Sequence, residues 1–181
     1  MNRCKWANEN TNMLIYHDNE WGVKKYDISE LFESLTLEIF QAGLSWQTVL
    51  NKRNAFKEAF CSFDIRLISE FTEEDIIRLL QNPAIIRNRA KIEATIKNAK
   101  CCLENDLCEL TWHPFDFKTM DGLNNGDKIG APNFVNEYVK TFKNKGFKRV
   151  GLTTMYSYLQ SVGVINDHEL SCFRHDQLIE D

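Results

Sequence analysis

Along this chain apolar residues recur at intervals of three and four far more often than in alternation, so the pattern reads as helix almost throughout. Between Ile28 and Ala42, the residues Leu31, Phe32, Leu35, Ile39 and Ala42 fall on one helical stripe, and Glu38 falls on it too. Asn51 to Ala59 reads as a second helix, followed by a turn at Ser62 to Asp64. Thr72 reads as an N-cap, with Glu73, Glu74 and Asp75 at the positive end of the dipole and Ile76, Ile77, Leu79 and Leu80 as the apolar side. Asn82-Pro83 ends that helix. The next starts near Arg87 or Asn88 and runs through Ile92 and Ile96 towards Leu103. From His113 to Pro132 the composition turns to Gly, Asn, Asp and Lys, which predicts a long surface loop. Asn133 is placed to cap a helix carrying Phe134, Val135, Tyr138, Val139 and Phe142, with Gly146 closing it. A last helix spans Thr153 to Gln160 and ends at Gly163. No internal repeat is present, and the expected class is all-α.

The 181 residues, 43% hydrophobic and 12% aromatic, can bury a substantial core as one domain or two closely packed lobes. No apolar run approaches the roughly 18 residues of a membrane span. The start, MNRCKWANENTN, lacks the apolar core of a signal peptide, so the cytoplasm is the expected location. The six cysteines then read as reduced thiols or ligands. A net charge of -4 does not suggest nucleic acid, yet Lys140 to Arg149 holds five positive charges and no acid. Arg87, Arg89, Lys91, Lys97 and Lys100 crowd the middle with only Glu93 opposing. Such patches can bind phosphates, or can be solvated helix faces.

Two pairs of soft ligands stand at opposite ends: Cys4 with His17, and His168 with Cys172 in an H-x3-C pair. A Cys2His2 set fills a tetrahedral zinc site with no open position, which implies structural Zn2+, one per chain, fastening the termini together. The i, i+4 spacing would put His168 and Cys172 on one face of a helical turn. The alternative is a buried Cys4, a surface His17 and a chance pair.

A helix ending at Asn82, a short turn through Ile85 and Ile86, and a helix opening near Arg87 make a helix-hairpin-helix. Its backbone amides can hold one phosphate irrespective of base, reinforced by Arg87 and Arg89. An ordinary αα-hairpin with both isoleucines in the core fits as well. Glu38 is the sharper clue, because an orphaned buried carboxylate costs on the order of 3 to 5 kcal/mol and so needs donors. Tyr16, Trp21, Trp46 and Trp6 lie in the flanking sequences. Aromatic faces around one acceptor suit a pocket that sandwiches a planar base and reads its exocyclic amine. Equally, the rings could be core and Glu38 could pair with a buried arginine.

Cys4, Trp6, YHDNEWG (Tyr16 to Gly22), LEIFQAGLSWQTVL (Leu37 to Leu50), IIRNRAKI (Ile85 to Ile92), KGFKRVG (Lys145 to Gly151), YSYLQSVG (Tyr156 to Gly163) and NDHELSC (Asn166 to Cys172) together resemble the DNA-3-methyladenine glycosylase I family in order and spacing. The resemblance runs from about Arg3 to Cys172. It implies a single all-α domain over 1–181, of the helix-hairpin-helix glycosylase fold, with two packed lobes, the hairpin near 72–104 and a zinc joining the termini. It also implies removal of 3-methyladenine from alkylated double-stranded DNA, with the free base as product, no membrane partner and a monomer. On that reading Cys4, His17, His168 and Cys172 are the ligands. Glu38 and Tyr16 hydrogen-bond the base, Trp46 stacks on it, and Trp6 and Trp21 line the pocket. Ile85, Arg87 and Arg89 meet DNA, and Leu44, in the QAGL turn, fills the vacated stack. The superfamily's catalytic aspartate is absent from this family, so Glu38 acts first as a recognition group. The family often has tyrosine where Met13 stands and glycine where Ala84 stands. Two other classes share some of these features: a zinc-stabilised DNA-binding module without catalysis, and a zinc hydrolase.

Overall fold

A computed structural model describes residues 1–121 and 133–180. One helix organises the rest. α2 (Ile28–Gln41) is capped by Asp27, whose side chain accepts from the Ser29 and Glu30 amides, and every residue from Leu31 to Phe40 is buried. A helix buried on all sides is a central one. Around it lie α1 (Thr11–Asn19), α3 (Trp46–Leu50), α4 (Arg53–Ala59), α5 (Ile65–Ser69), α6 (Glu73–Gln81), α7 (Arg89–Glu104), α8 (Leu107–Trp112), α9 (Phe134–Asn144), α10 (Leu152–Ser161) and α11 (Phe173–Glu180). A continuous core of Phe, Leu, Ile and Val side chains joins α2 to α10, including Phe32, Phe40, Phe56, Phe60, Phe63 and Phe142, all fully buried. Each such ring contributes roughly 1.5–3 kcal/mol by leaving water.

The polar residues on α2 show what central placement demands. Glu33 is buried, but Arg53 Nε donates to it at 2.6 Å and Lys57 Nζ lies at 3.4 Å, so its charge is neutralised. Arg53 also reaches Glu20. Glu38, one turn further on, has no such bridge among the described residues.

The α6–α7 hairpin forms as the sequence predicts. Asp75 accepts from the Thr72 amide, closing the start of α6, and the Asn88 side chain accepts from the Lys91 amide to start α7. The turn itself uses an Asx bond, Ala84 N–H to Asn82 Oδ1 at 2.9 Å. Ala84 is not among the positive-φ residues, so this turn requires no glycine there. Gly146 (φ +91°) and Gly163 (φ +87°) end their helices as expected.

Several expectations are corrected. The helix expected over Asn51 to Ala59 begins at Arg53 as α4, behind a separate short helix, α3, that ends at Leu50. The turn at Ser62 is tighter than expected, with Cys61, Ser62 and Phe63 all at positive φ, and Asp64 then caps α5. Asn133 flanks α9 without a side-chain cap bond. His113–Phe115 is a 3-10 turn rather than loop. Met120–Asp121 (β1) pairs in parallel with Ile165–Asn166 (β2), a two-residue departure from the all-α expectation. The remainder of that expected loop, 122–132, lies outside the described residues. α1, α3, α5, α8 and α11 lie where the apolar pattern predicts no helix.

Candidate active site

α2 brings Glu38 to the floor of a cavity of about 390 Å³, the size range of small-ligand sites. α1 contributes Met13 and Tyr16, a 3-10 turn at Lys5–Glu9 contributes Trp6, and the chain after α1 contributes Trp21. Ser45 caps α3 by accepting from the Thr48 amide, which sets Trp46 on the opposite wall. Gln41, Gln47, Ser157 and Gln160 complete the lining. All five chemistry-bearing residues proposed from sequence therefore meet in one cavity. Gln160 and Ser157 escaped assignment although they sit in the YSYLQSVG motif; neither polar type is distinctive alone.

Burial pushes the Glu38 carboxyl up to about 8, opposed by the charge of Lys25, whose Nζ donates to Ser34 Oγ at 3.0 Å. Its Oε2 is buried without a hydrogen-bond partner among the described residues, and so is the Trp46 indole N–H. Both residues line the cavity, and a buried acceptor and a buried donor are each costly until a partner reaches them. Burial also raises the Tyr16 hydroxyl, with the nearby Glu38 charge adding to it, so the phenol remains a neutral donor. The rings are in contact with one another: Tyr16 and Trp46 at 5.1 Å between centroids, Trp6 and Trp21 edge to face at 5.0 Å. Flat rings stack about 3.5 Å apart, so a base would need about 7 Å between two of them and cannot enter between the members of either touching pair.

Behind Trp6 and Trp21 lies the cysteine–histidine cluster. The four ligand atoms of Cys4, His17, His168 and Cys172 are mutually within 4.8 Å, and all four residues are buried. Cys4 Sγ lies 3.5 Å from His168 Nδ1, and Cys172 Sγ lies 3.4 Å from both His17 Nε2 and His168 Nδ1. Tetrahedral zinc with bonds of about 2.0–2.3 Å has ligand–ligand edges of roughly 3.3–3.8 Å, so the set fits. The outer nitrogens are also fixed: His17 Nδ1 to Asp18, itself held by Arg3, and His168 Nε2 to the Trp21 carbonyl. Burial lowers both imidazoles, His168 to about 4, which keeps them neutral and able to ligate. His168 and Cys172 are not on a helix; they flank a turn closed by Cys172 N–H to Glu169 O at 2.7 Å, ahead of α11.

On the outer surface, Leu44 is 44% exposed in the loop after α2, where Gly43 takes φ +84°. Ile85 is buried in the core, so its contribution to any ligand is its backbone. Arg87 is exposed. Arg89 is engaged by two carboxylates, Glu73 at 2.7 Å and Glu93 at 3.3 Å, and a phosphate would compete with both. In the Lys140 to Arg149 stretch, Lys140 pairs with Glu137 and Arg149 Nε donates to the Ala90 carbonyl. No described helix is long and apolar enough to cross a membrane.

The methyladenine glycosylase family profile matches residues 6–175. A DNA-3-methyladenine glycosylase of Haemophilus influenzae is 38% identical over 177 residues, covering 94% of this chain and 96% of that protein. A crystal structure of 3-methyladenine DNA glycosylase I superposes with a TM-score of 0.91 at 41% identity, covering 96% of this chain and all of the other. The Staphylococcus aureus enzyme solved to explain 3-methyladenine recognition superposes at 0.90 with 32% identity, covering 97% of each chain.

Proposed function

Since the chain belongs to the methyladenine glycosylase family and is a DNA glycosylase, we propose that it hydrolyses the N-glycosidic bond of 3-methyladenine in alkylated duplex DNA. The observation that carries this is the buried, unpartnered Glu38 oxygen at the floor of an aromatic cavity. A carboxylate accepts from an exocyclic amine, Tyr16 donates, and the flipped base stacks on Trp46 beside Trp6 and Trp21.

The lesion supplies much of the reactivity. Methylation at N3 makes the attached adenine cationic, so when the bond to C1′ breaks its electron pair goes to the ring and a neutral base departs. No general acid is needed. The sugar becomes an oxocarbenium-like cation, water adds to C1′, and its proton passes to solvent. The protein's work is to extrude the nucleotide, at a few kcal/mol, and to hold base and developing charges in a fixed electrostatic frame. Glu38 serves both ends, as a base reader and as an anion near a cationic lesion.

The hairpin amides of Ile85 to Arg87 with the Arg87 side chain would take one phosphate, Arg89 adding charge at the expense of its carboxylates, while Leu44 enters the vacated stack. Cys4, His17, His168 and Cys172 would hold Zn2+ in a closed structural set, which supplies cross-linking of the two ends of the chain and no chemistry at the base. Incubating the protein with methylated duplex DNA without heating, and identifying released bases chromatographically, tests the reading. Free 3-methyladenine is expected; a mobility shift of DNA with no released base would mean binding without catalysis.

A further inference from the structure

Two lysines outside the cavity cross between the α6–α7 hairpin and the segment that builds the cavity mouth. Lys91, in the first turn of α7, is buried, and its Nζ donates to the Phe40 carbonyl at 2.8 Å and the Ala42 carbonyl at 2.7 Å. These belong to the last turn of α2, the negative pole of its dipole. In the other direction Lys52, between α3 and α4, donates through Nζ to the carbonyls of Pro83 at 3.2 Å and Ala84 at 2.9 Å in the hairpin turn. Each segment thus gives a cation to the other's backbone.

What lies between the anchors is otherwise loosely held. Ala42 to Ser45 are exposed, with one internal turn bond from the Leu44 amide to the Gln41 carbonyl at 2.7 Å. This stretch carries Leu44 and ends at Ser45, the cap that sets Trp46 on the cavity wall. Water could satisfy the end of α2 without burying an ammonium, which is costly to remove from solvent. A buried lysine there instead fixes distance and direction between two elements.

We propose that Lys91 and Lys52 are positioning residues that join the hairpin and the Ala42–Trp46 loop into one body, so that seating the hairpin on a DNA backbone sets the depth of the loop and delivers the flipped base to Glu38. The inference rests on the glycosylase reading and concerns delivery of the base, not its recognition. Release of base from DNA therefore separates from affinity for free base.

Lys91→Met and Lys52→Met test this, with three readouts: single-turnover release of 3-methyladenine from methylated duplex, affinity for free 3-methyladenine by tryptophan fluorescence, and affinity for undamaged duplex. Release is expected to slow about tenfold or more in Lys91→Met and about threefold or more in Lys52→Met, with both affinities within about twofold of the parent. Unchanged release in both variants overturns the proposal and leaves the glycosylase reading intact. So does a matching loss of free-base affinity, which would make the lysines supports of the cavity, or a matching loss of duplex affinity, which would make them phosphate contacts. Should Lys91→Met fail to fold by circular dichroism, the half-buried Lys52 decides by the same criteria. A parent that releases no base overturns the reading and the proposal together.

Discussion

Tyr16 and Trp46 touch across the cavity, their centroids 5.1 Å apart and their planes inclined at 48°, so no third ring fits between them. Their contributions to a bound base must differ in kind: one face to stack on, one hydroxyl to donate. Trp46→Leu is expected to weaken binding of free 3-methyladenine by a stacking increment of about 1–3 kcal/mol, roughly five- to 150-fold. Tyr16→Phe removes a single hydrogen bond, about 0.5–1.5 kcal/mol, and keeps the ring. Titration of both variants checks the order; equal losses would mean the hydroxyl and the indole act as one unit.

Glu38→Gln is expected to lower excision by roughly a hundredfold or more, the scale of removing one well-placed electrostatic partner. Parental excision in that variant would take Glu38 out of the site. The same substitution has a stability signature. An unfolded glutamate titrates near about 4.3, whereas burial holds the folded one at about 8. Between those values the folded protein keeps a proton that the unfolded chain has released, so stability falls as pH climbs through the interval, and the penalty is complete above pH 8. Glu38→Gln should therefore melt higher than the parent, by a margin that widens from pH 5 to pH 8.5. Melting curves at the two pH values measure it.

For the parent, kcat/KM should rise as pH passes about 8, since the carboxylate is the accepting form. A cationic lesion in the cavity favours that carboxylate, so the corresponding limb of kcat lies at lower pH. A pH profile of each constant tests the pair; coincident limbs would mean that the lesion's charge is not felt at Glu38.

Cys172→Ser should release zinc on purification and lose about 2 kcal/mol or more of stability, some 4–8 °C in Tm for a chain of this size. Metal analysis beside calorimetry measures both. Stoichiometric zinc in the variant would show that the ligand set is wrong.

Arg53→Met should destabilise by about 2–3 kcal/mol, less than the full cost of an orphaned charge because Lys57 still lies near Glu33. Denaturant unfolding gives the value, and Arg53→Met with Glu33→Gln should recover most of it. If the double variant is no more stable than the single one, the ion pair is not the cause.

The helices that carry a continuous apolar stripe were legible in sequence: α2, α6, α7, α9 and α10 lie where the periodicity of Leu31, Ile76, Ile92, Val135 and their neighbours predicts. α1 was not, because its nine residues spend their buried positions on Met13, Tyr16 and His17, which give no apolar stripe. α8 and α11 are short, and their burial is decided by what packs on them. The site's residue types were readable because a carboxylate on the Leu35–Ile39 stripe and a cysteine–histidine pair at each end are rare. Their relative geometry was not: that Tyr16 and Trp46 are in contact, or that Arg89 is held by Glu73 and Glu93, follows only from tertiary placement.

Tyr16 and His17 are consecutive in α1, yet one looks into the base cavity and the other into the ligand cluster. A helix turns by about 100° per residue, so inserting or deleting a single residue upstream within α1 would swing both side chains off target at once. Individual side chains of the helix can therefore be exchanged, but not its length.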